Sequence, residues 1–364
     1  MPKLSERNYQ FDNAKAALIS LVVIGHIFEL TVSRKTDIAY TFIYLFHMPL
    51  FVFCSGYFAK YSPKRLLKLL ILYASFQFLY SVFAILVMGY ENFAIQFTTP
   101  FWIMWYLFAL VVWTSLVPVL DILTRKKSTM LLTMILSVLL GVAAGFESSL
   151  GYYLSLGRIL YFFPYFVAGY CAKKLLPGSE FSEFTSKWNV RIISGVATTA
   201  IAVFVYFYFE RVDPRWLWAA QSYDALAYTG YTFYIRILKY VCAFAISLFF
   251  MSMMPKKKLF FTYTGTRTLE VFLIHGFVIR LFAGFSVMRA IPGGYVTMVF
   301  ILLATVAMVF VFSSGVFTPT VWFNVFTGKQ VPSETIFSLF RNSFCKFVFG
   351  GRSDGRRRTS ETKY

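Results

Sequence analysis

Ten apolar runs of about 16 to 23 residues, parted by short stretches that carry most of the charge, constrain this chain before any motif is read. They lie at roughly 14 to 32, 40 to 58, 66 to 88, 100 to 122, 129 to 145, 157 to 172, 190 to 210, 235 to 254, 268 to 288 and 295 to 316. In hydrocarbon a run of this length satisfies its own backbone only as a helix. At 364 residues, 58% of them hydrophobic, with a mean hydropathy of +0.65, the chain is too apolar for a soluble domain. The expected fold is all-α, a polytopic bundle of about ten transmembrane helices in the cell membrane. Residues 1–316 read as one membrane domain, because no linker rich in Pro, Gly or Ser divides them. The stretch 317–349 mixes aromatics with Lys329, Glu334, Arg341 and Lys346 and reads as an amphipathic interfacial segment; 350–364 is a basic cytoplasmic tail.

Basic residues resist translocation and collect on the cytoplasmic side. Lys60, Lys64, Arg65 and Lys68 follow the second run, Arg125, Lys126 and Lys127 the fourth, Lys173, Lys174, Lys187 and Arg191 the sixth, and Lys256, Lys257, Lys258 and Arg267 the eighth. The intervening connections carry only Arg34 and Lys35, then Arg211 and Arg215, then Arg289. This alternation puts both termini in the cytoplasm and demands an even number of spans. It also accounts for much of the net charge of +19 without invoking nucleic acid. Arg356, Arg357 and Arg358 in the tail suit anionic membrane lipid. Cys54, Cys171, Cys242 and Cys345 form no CxxC and no outer-loop pair, so neither a disulfide framework nor zinc is expected.

The three histidines, His26, His47 and His275, all fall inside expected spans, where ionisable groups are costly and point to function. Lys15 and His26 are eleven residues apart, almost three helical turns, which sets them on one face about 16 Å apart. A cation at the membrane edge and an imidazole deeper in suit a long thioester donor such as acyl-CoA, its phosphates at Lys15 and its carbonyl near His26. A neutral imidazole shielded from water can then take the proton of an acceptor hydroxyl. Arg158, with Trp105 and outward aromatics, suits an anionic or hydroxylated ligand, although a snorkelling flank residue explains Arg158 as well. No carboxylates or thiols stand at ligand spacing from the histidines, so no metal is expected. Glu29, Asp121, Glu210 and Glu270 sit near span ends and none at a centre, which weakens proton-coupled transport without removing it. A transporter or flippase for a glycan or lipid-linked sugar therefore stays as the alternative, beside a non-catalytic membrane subunit.

The motifs go further. Asp12, Lys15 and Val22-Val23-Ile24-Gly25-His26, then Phe46-His47-Met48-Pro49-Leu50-Phe51 with Ser55-Gly56, resemble the integral-membrane acyltransferase family 3, in particular its sugar O-acetylase branch. Weaker similarities follow in order at Trp105-Tyr106-Leu107, Arg158 to Gly169 and Leu273-Ile274-His275. The resemblance implies an enzyme that moves an acyl group, usually acetyl, from cytoplasmic acyl-CoA to a hydroxyl of an extracytoplasmic or lipid-linked glycan. It implies His26 as base or acyl-handling residue with His47 nearby, and Lys15 as its basic partner. Arg65, chosen over Lys64 and Lys68, is matched to the family's second-loop cation for CoA phosphate, while Arg158, Trp105, Tyr106 and His275 would serve the acceptor. Some members carry a C-terminal extracytoplasmic esterase-like domain; a basic tail stands here instead, so either the acceptor is acylated directly or a separate transferase partner completes the reaction.

Overall fold

The computed structural model describes residues 7–31, 33–90, 93–291 and 294–316. The interfacial segment and basic tail expected after 316 lie outside these, as does Cys345. Fourteen α-helices and no strand occur among the described residues: α1 (Tyr9–Phe28), α2 (Arg34–Tyr57), α3 (Pro63–Leu86), α4 (Trp105–Ser115), α5 (Val117–Leu123), α6 (Lys127–Ala143), α7 (Leu156–Leu175), α8 (Glu180–Ser186), α9 (Trp188–Tyr208), α10 (Pro214–Trp218), α11 (Phe233–Met253), α12 (Thr268–Gly284), α13 (Val287–Ala290) and α14 (Tyr295–Phe312).

Each of the ten expected spans coincides with a helix or, for the fourth, with a helix pair. Among the described residues, six helices can cross a membrane by length and composition, or seven if the bent pair Trp102–Ser115 and Val117–Leu123 is one span. The 49° bend of that pair falls at Pro118, which has no N–H to continue the ladder and whose ring crowds the preceding turn. The other three are the apolar but short α6, α7 with Arg158, Lys173 and Lys174, and α12 with Glu270 and Arg280.

The first helix begins five residues earlier than its apolar run. Asn8 caps it, its side chain accepting from the Gln10 N–H at 3.1 Å. The polar first turns are then buried with partners: Gln10 donates to the Met251 carbonyl at 2.7 Å and Thr185 Oγ1 at 3.1 Å, and Asn13 donates to the Pro255 and Lys257 carbonyls at 2.8 and 3.0 Å. Burial of amides is tolerated because each finds an acceptor. These bonds tie the start of α1 to α8, to the end of α11 and to the connection that follows it.

At the centre α1 packs on α2, α12 and α14, while α2 packs most extensively on α7 and also on α11. Two glycines allow the α2–α7 approach. A Cβ on Gly56 would stand 2.0 Å from the Phe166 carbonyl oxygen, and one on Gly169 would stand 2.0 Å from that of Phe53. Without side chains there, the backbones meet, as at close helix crossings in membranes.

Candidate active site

His26 lies in the last turn of α1, where the helix hands over to Glu29. The i,i+3 spacing brings the two side chains together, and His26 Nδ1 lies 3.2 Å from Glu29 Oε1. From α2, the Tyr44 hydroxyl donates to the same carboxylate oxygen at 2.5 Å and stands 3.2 Å from His26 Nδ1. Nδ1–H donating to Glu29 fixes the neutral tautomer with its lone pair on Nε2. Nε2 has no hydrogen-bond partner among the described residues. Tyr44 is itself held, stacked on Tyr40 at 3.9 Å, whose hydroxyl accepts from Trp218 Nε1 at 2.7 Å.

These groups border a cavity of about 440 Å³, whose lining includes His47, Trp102, Trp105, Tyr106, Arg158 and Arg280. Two guanidinium groups face it, each carried on indole. Arg158 lies 5.5 Å from the Trp105 ring centre and donates to the Trp218 carbonyl at 3.2 Å. Arg280 lies 4.2 Å from the Trp102 ring centre, and Trp102 is 4.7 Å edge-on from the His26 ring. The indole is thus a spacer between imidazole and guanidinium. Trp102 has φ 39°, and Leu154, Ser155 and Ala219, which bracket the start of α7 and end of α10, also lie in the left-handed region. Such backbone costs about 1 to 3 kcal/mol per bulky residue and is kept where surroundings over-determine it, commonly at functional sites.

The sequence-expected residues divide into two groups. His26, His47, Trp105, Tyr106 and Arg158 share the cavity. His47 is buried, its Nδ1–H donating to the Ile43 carbonyl at 2.8 Å, and it meets Tyr44 edge-on at 4.7 Å with no hydrogen bond to His26. His275 does not line the cavity; it is fully buried, stacked on the His26 ring at 5.6 Å, with Nδ1–H on the Val271 carbonyl at 2.9 Å and Nε2 unpartnered. It backs the His26 ring, away from the cavity. Tyr106 is tied to Ser55 Oγ at 2.6 Å. At the other end of α1, Lys15 pairs with Asp12 at 2.9 Å and lies 5.4 Å over Phe58. Lys64, Arg65 and Lys68 are exposed on the first turns of α3 and form no ion pair among the described residues.

Sequence reasoning gave no site role to Glu29, Tyr44, Trp218 and Arg280. For Glu29 the signal was present, since His and Glu three apart on a helix face each other. The others reach the site through tertiary contacts between distant segments.

Over 66 residues the chain is 42% identical to the nodulation protein NolL of Sinorhizobium fredii, and 39% identical to the NolL of Mesorhizobium japonicum. In both cases the match covers 17% of this chain and 18% of the relative, so the chain spans less than a fifth of the curated relatives it matches. No solved structure matches the chain. The profile described as an acyltransferase domain matches residues 8–318, from the cap of α1 to just beyond α14. With that domain covering nearly the whole chain, the protein belongs to the membrane acyltransferase family 3.

Proposed function

We propose that this protein is a membrane O-acyltransferase that moves an acyl group, in the simplest case acetyl, from acyl-CoA to a hydroxyl of a glycan outside the cytoplasm. The observation that carries this reading is the imidazole of His26, held at Nδ1 by Glu29 and Tyr44 with Nε2 free beside a cavity of about 440 Å³. The donor's phosphates sit at the opposite end of α1, with Lys15, Lys64, Arg65 and Lys68 as counter-charges. The acceptor occupies the cavity between Trp105 and Trp102. Its hydroxyl oxygen attacks the thioester carbonyl as its proton passes to His26 Nε2; the C–S bond then breaks, and the proton leaves with the CoA thiol. Glu29 stabilises the imidazolium formed in between, which is the service a carboxylate gives a catalytic histidine elsewhere.

The test is base-labile acetate on surface polysaccharide, with free CoA released by membranes, in cells carrying the intact gene, a deletion or His26→Ala at matched protein level. Loss of a positioned general base costs about 10²- to 10⁴-fold. The variant should therefore match the deletion. Substrate movement with no CoA released would instead identify a transporter.

A further inference from the structure

Two cavities meet at Glu29. One holds His26; the other, of about 1000 Å³, lies between the α1–α2 connection, the end of α12 and the start of α14, and is lined by Arg34, Lys35 and Tyr295. Among the described residues their walls carry four permanent cations, Arg34, Lys35, Arg158 and Arg280, and one carboxylate. That carboxylate, Glu29, is already engaged by Tyr44 and His26. None of the four cations forms an ion pair among the described residues; each lies against an aromatic ring instead. Arg34 is 5.7 Å over Tyr206, Lys35 is 5.5 Å over Tyr295, and the two inner guanidiniums ride on Trp105 and Trp102.

A guanidinium laid on an aromatic face keeps its in-plane donors for another partner. Arg280 lines the inner cavity and has no carboxylate within ion-pairing distance among the described residues. Walls with this excess of positive charge also concentrate anionic ligands. Resting on the acyl-transfer reading above, we propose that the acceptor is an acidic glycan. The reacting sugar lies between Arg158 and Arg280, its anionic group on Arg280, and the next anionic residues of the chain run past Glu29 along Arg34 and Lys35. Arg280 is then a specificity-determining residue, and its indole support, Trp102, sets its distance from His26.

The experiment is a binding titration that needs no catalysis. The full chain in lipid nanodiscs is titrated with methyl β-D-glucuronide, glucose 6-phosphate and methyl β-D-glucoside, reading tryptophan fluorescence, with Trp102→Phe to assign the signal. The acidic sugars should bind about tenfold or more tighter than the neutral one, with the preference lost in Arg280→Gln, as expected for one charged hydrogen bond. Whichever acidic sugar binds tighter names the anion. A longer acidic oligomer, tetragalacturonate, should lose affinity in the Arg34→Gln, Lys35→Gln double variant. Retained acetyl-CoA binding and an unchanged melting temperature guard against misfolding. Equal binding of glucoside, no saturable binding of either acidic sugar, or a preference untouched by Arg280→Gln would each overturn the proposal. So would loss of acetyl-CoA affinity in Arg280→Gln, which would give the cation to the donor. Arg280-dependent binding of acidic sugar without any acyl transfer would uphold the anion site and fell the acyl-transfer reading alone.

Discussion

His26, Glu29 and Tyr44 work as a unit because each restrains the next: the carboxylate sets the imidazole's tautomer, and the phenol holds the carboxylate. Glu29 touches no reacting atom in the proposed reaction and acts through His26. Glu29→Gln keeps the size and removes the charge that stabilises imidazolium. It should lower kcat by about 100-fold, with KM for the acceptor changed less than about threefold. Steady-state kinetics in nanodiscs check this; a fall in kcat/KM carried by KM alone would make Glu29 a binding residue. At this scale the sequence showed part of the site. His26 stood out as an imidazole in an apolar run, and Arg158 as a cation opening one. Glu29 did not, because at a span end a carboxylate is ordinary until Tyr44 is known to lie over it.

Among the elements, the α2–α7 pair positions the site, since α2 supplies Tyr44 and His47 while α7 supplies Arg158. Their separation depends on Gly56 and Gly169. Gly56→Ala would drive a methyl into the Phe166 carbonyl, and since the neighbour is backbone, a helix must move. The expected cost is about 1 to 3 kcal/mol. It should be read as a lower melting temperature in detergent together with reduced activity; a variant that melts and turns over like the parent would show that the helices are free to shift. Helix existence was legible throughout, because each run of apolar residues became a helix. Ends were not. α1 starts at Tyr9 and α2 at Arg34, ahead of their apolar runs, because side-chain caps and buried amides extend helices through polar residues that hydropathy discards. The bend at Pro118 has a local cause, but its angle belongs to the packing.

For the whole molecule, the connection between α9 and α11 is fastened to the bundle by Arg236, which is buried and donates to the Tyr231 hydroxyl at 3.1 Å, the Gly141 carbonyl at 3.0 Å and the Gln221 carbonyl at 3.3 Å. That connection delivers Trp218 to Tyr40 and Arg158, so a segment far from His26 in sequence closes the cavity wall. From the charge distribution, this connection is expected outside the cell and the α7–α9 connection inside. In a cysteine-free background, Asp224→Cys should react with a membrane-impermeant maleimide added to intact cells, and Ser179→Cys only after the membrane is opened; both positions are exposed. The reverse pattern would invert the orientation and place His26 near the cytoplasm.

The sequence by itself determined that this chain is a membrane-embedded helical bundle, roughly where its helices fall, and that its three histidines lie inside apolar runs. Each of these follows from local patterns: run length against bilayer thickness, and costly polar groups inside apolar runs. Only the tertiary structure decided which of those residues share a cavity. It laid Tyr44 over the His26–Glu29 pair, set Arg280 on Trp102, and put His275 behind the His26 ring. The physical reason is that a helix's own period fixes neighbours only within a turn or two, whereas contacts between helices depend on how closely their backbones approach and how they are rotated.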